Sequence, residues 1–176
     1  GTFAIQLAKH LGATVATTTS AGNVAQVKRL GADVVIDYKQ DAFEERLSGY
    51  DVVLNSQDGK TLAKSLSVLQ PGGHLISISG PPDPQFAEDS KAPWFVKQVM
   101  RALSWGTRRQ AQRRKVSYTF LFMKASGSQL RQITQLIESG AIRPVVDKVF
   151  PFESTNDAMA YVESGRAKGK VVIKVR

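Results

Sequence analysis

The sequence has no cysteine and only two histidines, His10 and His74. Without thiols there are no disulfides and no thiolate zinc sites. Two imidazoles do not make a His-rich metal site, so no metal-ligating residue is assigned. No apolar run approaches the roughly 20 residues that a membrane helix needs. Residues 1–12 have the spacing of an amphipathic helix and lack a cleavage site, so no signal peptide is expected. Internal repeats and low-complexity linkers are also absent. What remains is 176 residues, 42% hydrophobic and 22% charged. That is globular composition, with enough chain for a real core.

Acidic residues are missing from one stretch. Between Asp89 and Glu138 there is no acid, while ten basic residues run from Lys91 to Arg131. Elsewhere 14 basic residues face 15 acidic ones, so the net charge of +9 belongs to this segment. Its run RRQAQRRK (108–115) lies near Trp94, Phe95 and Trp105, and clustered cations with aromatics suit nucleic acid. The plainer reading is a solvated helical face or a mobile loop, and no nucleic-acid partner is expected. Mutual repulsion and few large apolar anchors predict mobility over about 104–115 when no cofactor is bound.

The apolar patterning alternates. FAIQLAKHL (3–11) has helical spacing and stops at Gly12. ATVATTT (13–19) is a strand, and Ser20–Asn23 a turn with Ser20 as a helix cap. AQVKRL (25–30) is a helix ended by Gly31, ADVVIDY (32–38) a strand, DAFEERL (41–47) a short helix, and YDVVLN (50–55) a strand. GKTLAKSLSVL (59–69) reads as a helix closed by Pro71-Gly72-Gly73, followed by the strand HLISIS (74–79). After Gly80-Pro81-Pro82 come a helix over 93–105, an aromatic strand VSYTFLFM (116–123) and a helix over 126–140 capped by Ser126 or Ser128. An extended RPVVDKVFPF (143–152), a helix over 154–165 capped by Ser154 or Thr155, and a last strand over 168–175 complete the chain. Near-continuous apolar strands separated by helices predict an α/β fold with a doubly wound parallel sheet.

A doubly wound dinucleotide fold opens with a strand and a G-x-G-x-x-G turn, and here Gly1-Thr2 leads directly into the helix. The segments TFAIQLAKHLGA, RLGADVVIDY, LQPGGHLISISGPPDP, SYTFLFM, LIESGAIRPVVDKVFPF and SGRAKGKVVIKV follow in that order. Together they resemble the medium-chain dehydrogenase/reductase superfamily, most closely its zinc-independent quinone oxidoreductase and enoyl reductase branch. The resemblance implies a Rossmann-like NADP-binding domain over 1–141 that lacks its first strand and most of the glycine turn. It also implies a C-terminal extended segment, 142–176, that would pack on an absent GroES-like catalytic domain. The chain is then either a fragment or a natural stand-alone domain. With the first strand missing, ATVATTT and YDVVLN would each show an unpaired edge, which predicts their direct pairing or an oligomer. Val145, Val146, Val149, Phe150, Phe152, Val171, Val172 and Ile173 would lie on exposed apolar surface.

The candidate cofactor residues follow from the same resemblance. Gly1 and Thr2 open a helix whose free N–H groups favour a diphosphate. Thr19 and Ser20 end a strand where an Asp or Glu would select NAD; no acid stands there, and Tyr38 matches a phenol contact to a 2′-phosphate. Asn23 occupies a position where the family often has Lys, with Lys28 or Arg29 as possible compensation. Ser56, in VVLNSQDG, matches a cofactor contact, and Asp58 or Ser56 is equally a helix cap. Ser79 and Gly80 border the nicotinamide, with Gly80 allowing close backbone approach. The backbone near Phe120 and Phe122 faces the carboxamide, while their side chains read as core. Arg166 matches a further contact, or is a solvated cation. No catalytic residue is assigned, because hydride transfer comes from the nicotinamide itself. The expected function is the NADP(H)-binding portion of an oxidoreductase that reduces a quinone or activated C=C, this chain alone being inactive. The alternative is a non-enzymatic dinucleotide-binding or interaction module. A cytoplasmic homo-oligomer with a small-molecule substrate and no membrane partner is expected.

Overall fold

The computed structural model describes residues 1–176. The chain divides into two compact units, one made of Gly1–Asp41 with Ser126–Arg176, the other of Ala42–Ala125. This division differs from a boundary at 141/142. The reason is polar: the Gln6 side chain donates to the Arg143 carbonyl (3.1 Å) and accepts from the Arg143 amide (2.8 Å). Residues 142–176 thus close onto the first helix, and Ile142 is buried.

The discontinuous unit holds α1 (Thr2–His10), β1 (Ala16–Thr19), α2 (Val24–Arg29) and β2 (Val34–Asp37). Its later part holds α8 (Gly127–Glu138), β6 (Val146–Pro151), α9 (Thr155–Glu163) and β7 (Lys170–Lys174). β1 pairs with β2 and β6 with β7, both parallel. Ile5, Val27 and Ala32 form its small buried cluster. Lys9 and Asp33 join the end of α1 to the start of β2 at 2.9 Å, and Asp33 also accepts from the Val15 amide at 2.7 Å. These bonds hold the Asp33 carboxyl below its usual value, the Val15 amide first and Lys9 second. Gly31 is required here twice over: its φ is +104°, and a Cβ would fall 2.7 Å from Lys9 Cγ. Ser126 caps α8 through the Gln129 amide, as the sequence predicts; α9 starts after Ser154, but Ser154 makes no side-chain cap bond and the Thr155 hydroxyl donates back to the Phe152 carbonyl at 2.5 Å.

The continuous unit holds α3 (Phe43–Arg46), β3 (Tyr50–Asn55), α4 (Gly59–Ser65), β4 (Leu69–Ser77), α5 (Pro84–Asp89), α6 (Trp94–Leu103), α7 (Trp105–Arg113) and β5 (Ser117–Phe120). β3, β4 and β5 form one parallel sheet in that order. Leu62, Leu66, Leu69, Leu75, Ala111 and Val116 pack beneath it.

All strand pairings are parallel and α/β, as the alternation predicts. The orders β2–β1 and β3–β4–β5 are those of strands 3-2 and 4-5-6 in the doubly wound arrangement. β1 has a strand on one side only, as has β3, and the two do not pair with each other. Of the tail residues expected at the surface, Val146, Val149, Phe152 and Val172 are exposed; Val145, Phe150, Val171 and Ile173 are half-buried between strand pair and helix.

Two local expectations are corrected, and the basic segment is given a conformation. The helix over 59–69 ends at Ser65, and Pro71-Gly72-Gly73 lies inside β4 rather than in a closing turn. Val68 and Leu69 turn into the core, and an irregularity in register, Tyr50 opposite Leu69 but Val52 opposite His74, absorbs the extra residues. The aromatic strand stops at Phe120, so Phe122 is exposed and is not core; its ring lies 5.8 Å from that of Phe86. Most of 104–115 is helix α7, anchored by the buried Ser104 and Ala111.

Candidate functional site

Parallel α/β sheets place their ligand-binding loops at the strand carboxyl ends. In the discontinuous unit, β1 and β2 end side by side at Thr19 and Asp37, and the Tyr38 amide donates to the Thr19 carbonyl at 3.2 Å. Tyr38, exposed, thus has its backbone next to the end of β1. No acid occupies the end of β1, and Asp37, at the end of β2, binds the Lys39 amide at 3.0 Å. Ser20 turns the chain into a short 3-10 segment through the Asn23 amide (2.9 Å). Asn23 keeps its carbonyl oxygen buried without a partner, an unspent acceptor beside the strand end.

Gln26 of α2 donates to the Lys168 carbonyl at 3.0 Å, which docks the loop before β7 on that helix. Arg166 sits in this loop, exposed. Lys28 and Arg29 lie in the last turn of α2, a six-residue helix about 9 Å long that begins after Asn23. Gly1 and Thr2 open α1, whose side chains make no cap bond. This unit brings Thr19, Ser20, Asn23 and Tyr38 together and ties the Arg166 loop to the same α2. Its polar lining suits the adenosine end of a dinucleotide, and the orphaned Asn23 oxygen fits a hydroxyl donor there.

In the continuous unit, β3 and β4 end at Asn55 and Ser77, both buried. The Ser77 hydroxyl donates to Asn55 Oδ1 (3.2 Å) and accepts the Gly80 amide (2.9 Å). The Ser79 hydroxyl donates to the Gln57 carbonyl at 2.6 Å, linking the loops that carry Ser56 and Ser79. Ser56 is exposed at the rim, and the helix cap is Asp58, which accepts the Thr61 amide at 2.8 Å.

Two of the expected rim positions also make contacts within the unit. A Cβ on Gly80 would lie 2.7 Å from Leu62 Cδ1 and from the Tyr118 hydroxyl, so internal packing already demands glycine. The Phe120 amide is not available to a carboxamide, because it donates to Asp83 Oδ2 at 2.9 Å. Asp83 is the residue that sequence reasoning missed. It is buried, caps α5 through the Phe86 amide (2.7 Å), and so holds the 78–83 loop against β5. The Asp83-Pro84 pair, a capping acid before proline at a first helical position, is the signal that could have found it. Nearby, the Tyr118 hydroxyl donates to the Pro81 carbonyl at 2.7 Å; burial, then the Asp83 charge, pushes it up to about 12. His74 pairs with the Ser117 hydroxyl across β4 and β5.

The strand orders and the loops at the strand carboxyl ends are those of a doubly wound parallel α/β domain, and the comparisons agree. The zinc-binding dehydrogenase family model matches residues 30–173. The chain is 34% identical to the mitochondrial NAD(P)H oxidoreductase RTN4IP1 of Danio rerio, over 99% of this chain and 46% of the relative. It is 32% identical to an NADPH-dependent alkenal/one oxidoreductase, chloroplastic, of Arabidopsis thaliana, over 98% of this chain and 37% of the relative. The solved quinone oxidoreductase of Coxiella burnetii superimposes with a TM-score of 0.76 at 25% identity, over 99% of this chain and 49% of that one. The chain belongs to the zinc-binding dehydrogenase family, within the medium-chain dehydrogenase/reductases.

The chain spans less than half the length of these relatives. The family name implies zinc, but no three His, Asp or Glu side chains stand together to hold an ion. No helix is long and apolar enough to cross a membrane.

Proposed function

We propose that the chain is the cofactor-binding portion of an NADP-dependent oxidoreductase that reduces a quinone or an activated C=C. The observation that carries this reading is the end of β1. Thr19 and Ser20 stand there without an acid, and the backbone of the exposed Tyr38 is bonded to that of Thr19. A carboxylate at that position would repel a 2′-phosphate; hydroxyls and a phenol accept it. Thr19, Ser20, Asn23, Tyr38 and Arg166 hold the adenosine end, and Gly1-Thr2 the diphosphate. Ser56, Ser79, Gly80 and the backbone around Phe122 border the nicotinamide, which when bound supplies the hydride. The chain's own contribution is to bind, orient and exclude water.

Calorimetry of the full chain with NADPH and NADH tests the reading. NADPH is expected to bind more tightly, and equal or tighter binding of NADH overturns the preference. Turnover with a quinone or an enone, measured on the longer protein of which this chain would be the cofactor-binding portion, separates an oxidoreductase from a binding module that takes up the dinucleotide without chemistry. The free edges of β1 and β3 and the exposed Val146, Val149 and Phe152 support a homo-oligomer, which sedimentation velocity checks. A cytoplasmic location is part of the same proposal and is checked by fractionation; the relatives above carry mitochondrial and chloroplastic names.

A further inference from the structure

The loop from Ile78 to Asp83 leaves β4 at the carboxyl end of the sheet and carries Ser79 and Gly80. Its two halves are held by different groups. In the first half the backbone donates: the Ile78 amide to the Asn55 carbonyl at 3.0 Å, and the Gly80 amide to the Ser77 hydroxyl at 2.9 Å. The second half opens with Pro81 and Pro82, which have no N–H to give. Side chains hold it instead: the Tyr118 hydroxyl on the Pro81 carbonyl at 2.7 Å, and the Asp83 carboxylate. Asp83 is 4% exposed, and its two oxygens go to two different elements. Oδ1 accepts the Phe86 amide at 2.7 Å in the first turn of α5, and Oδ2 accepts the Phe120 amide at 2.9 Å at the end of β5.

One carboxylate thus does two separable jobs. The bond to Phe86 is a helix cap, which a serine hydroxyl also makes. The bond to Phe120 needs the second oxygen. α5 has further anchors on β5 and the interior: the Phe86 and Phe120 rings meet edge to face at 5.1 Å, and Ala87 is buried. Docking that helix therefore does not require a buried charge, which is costly to desolvate. The second half of the loop, without N–H groups of its own, does depend on it. We propose that Asp83 is a positioning residue for the nicotinamide half of the dinucleotide. Its bond to Phe120 fixes the 78–83 loop, with Ser79 and Gly80, before that half arrives. The inference rests on the cofactor reading above. A loop that is already ordered adds no ordering cost to binding, and freeing even one residue's backbone lowers affinity by about fivefold or more.

The full chain is titrated by calorimetry with NADPH and with 2′-phospho-ADP-ribose, the same molecule without its nicotinamide. Wild type should bind NADPH more tightly than the fragment. Asp83→Ser keeps the cap of α5 and loses the Phe120 bond. It should bind NADPH about fivefold less tightly, with its affinity for the fragment unchanged. A general loosening of the fold would weaken both ligands or neither. A second measurement needs no variant. Amide exchange at Phe120 in wild type should slow with NADPH and not with the fragment, because coupling between two events is reciprocal. The inference is overturned by an unchanged ratio of NADPH to fragment affinity in Asp83→Ser, by a fragment that weakens as much as NADPH, or by Phe120 exchange that NADPH does not slow. Wild type that binds both ligands equally also overturns it and leaves the cofactor reading standing. Wild type that binds neither overturns that reading and this inference with it.

Discussion

The two units are held together by different means. Residues 42–125 close over an apolar layer of leucines beneath a three-stranded sheet. The unit of 1–41 and 126–176 has two-stranded sheets, a cluster of three buried apolar residues, and side-chain bonds that link distant parts of the chain. Gln6 to Arg143, Gln26 to Lys168, and Asp147 to both Tyr161 and the Lys168 amide do there what leucine packing does in the other unit. A small apolar cluster is compatible with a defined structure when buried polar groups find partners across long sequence separations.

The sharpest way to break that comparison is to truncate each core. Leu75→Ala, at a fully buried position, should cost about 2–5 kcal/mol in urea unfolding. Ile5→Ala in the smaller cluster should cost less, and an equal cost would dissolve the contrast. Gln6→Ala should be the more damaging change in its unit. It removes both side-chain bonds to the Arg143 backbone, at about 0.5–1.5 kcal/mol each, and proteolysis near residue 143 should accelerate. Asp83→Ala should cost about 0.5–2 kcal/mol through the lost cap of α5, with faster amide exchange at Phe120.

Two smaller effects are read from pH. Asp33 has its carboxyl lowered from 3.8, so its contribution is complete above that value and lost as pH falls through the lowered one. Asp33→Asn should flatten that part of the acid unfolding curve. Tyr118 is raised from 10.0 to about 12, so its contribution is present below 10 and lost as pH rises toward 12. Tyr118→Phe should remove this alkaline component and leave the acid limb unchanged.

Helix and strand alternation was legible in the sequence because buried parallel strands write themselves as short β-branched runs. ATTT and VVID are strands for that reason. The β4 start was not legible, because Pro71-Gly72-Gly73 has the chemistry of a turn and only the register irregularity opposite Tyr50 lets it pair. Of the candidate site, Thr19, Ser20 and Tyr38 were legible as strand ends. Asp83 was hidden, because its partner amide, that of Phe120, lies 37 residues further along the chain. Gly80 was read as allowing close backbone approach, and the neighbours that occupy the place of its absent Cβ, Leu62, Ser77 and Tyr118, are invisible without the fold.

The insertion of one unit inside the other has a consequence for synthesis. Residues 42–125 are contiguous, so they have all of their partners once they leave the ribosome. The first 41 residues emerge earlier, yet the Arg143 backbone that receives Gln6 follows 137 positions later. During translation the order of completion is therefore inverted: the middle of the chain is finished before its beginning. Until then Gln6 is without the backbone groups it binds, and the first part of the discontinuous unit lacks this polar closure.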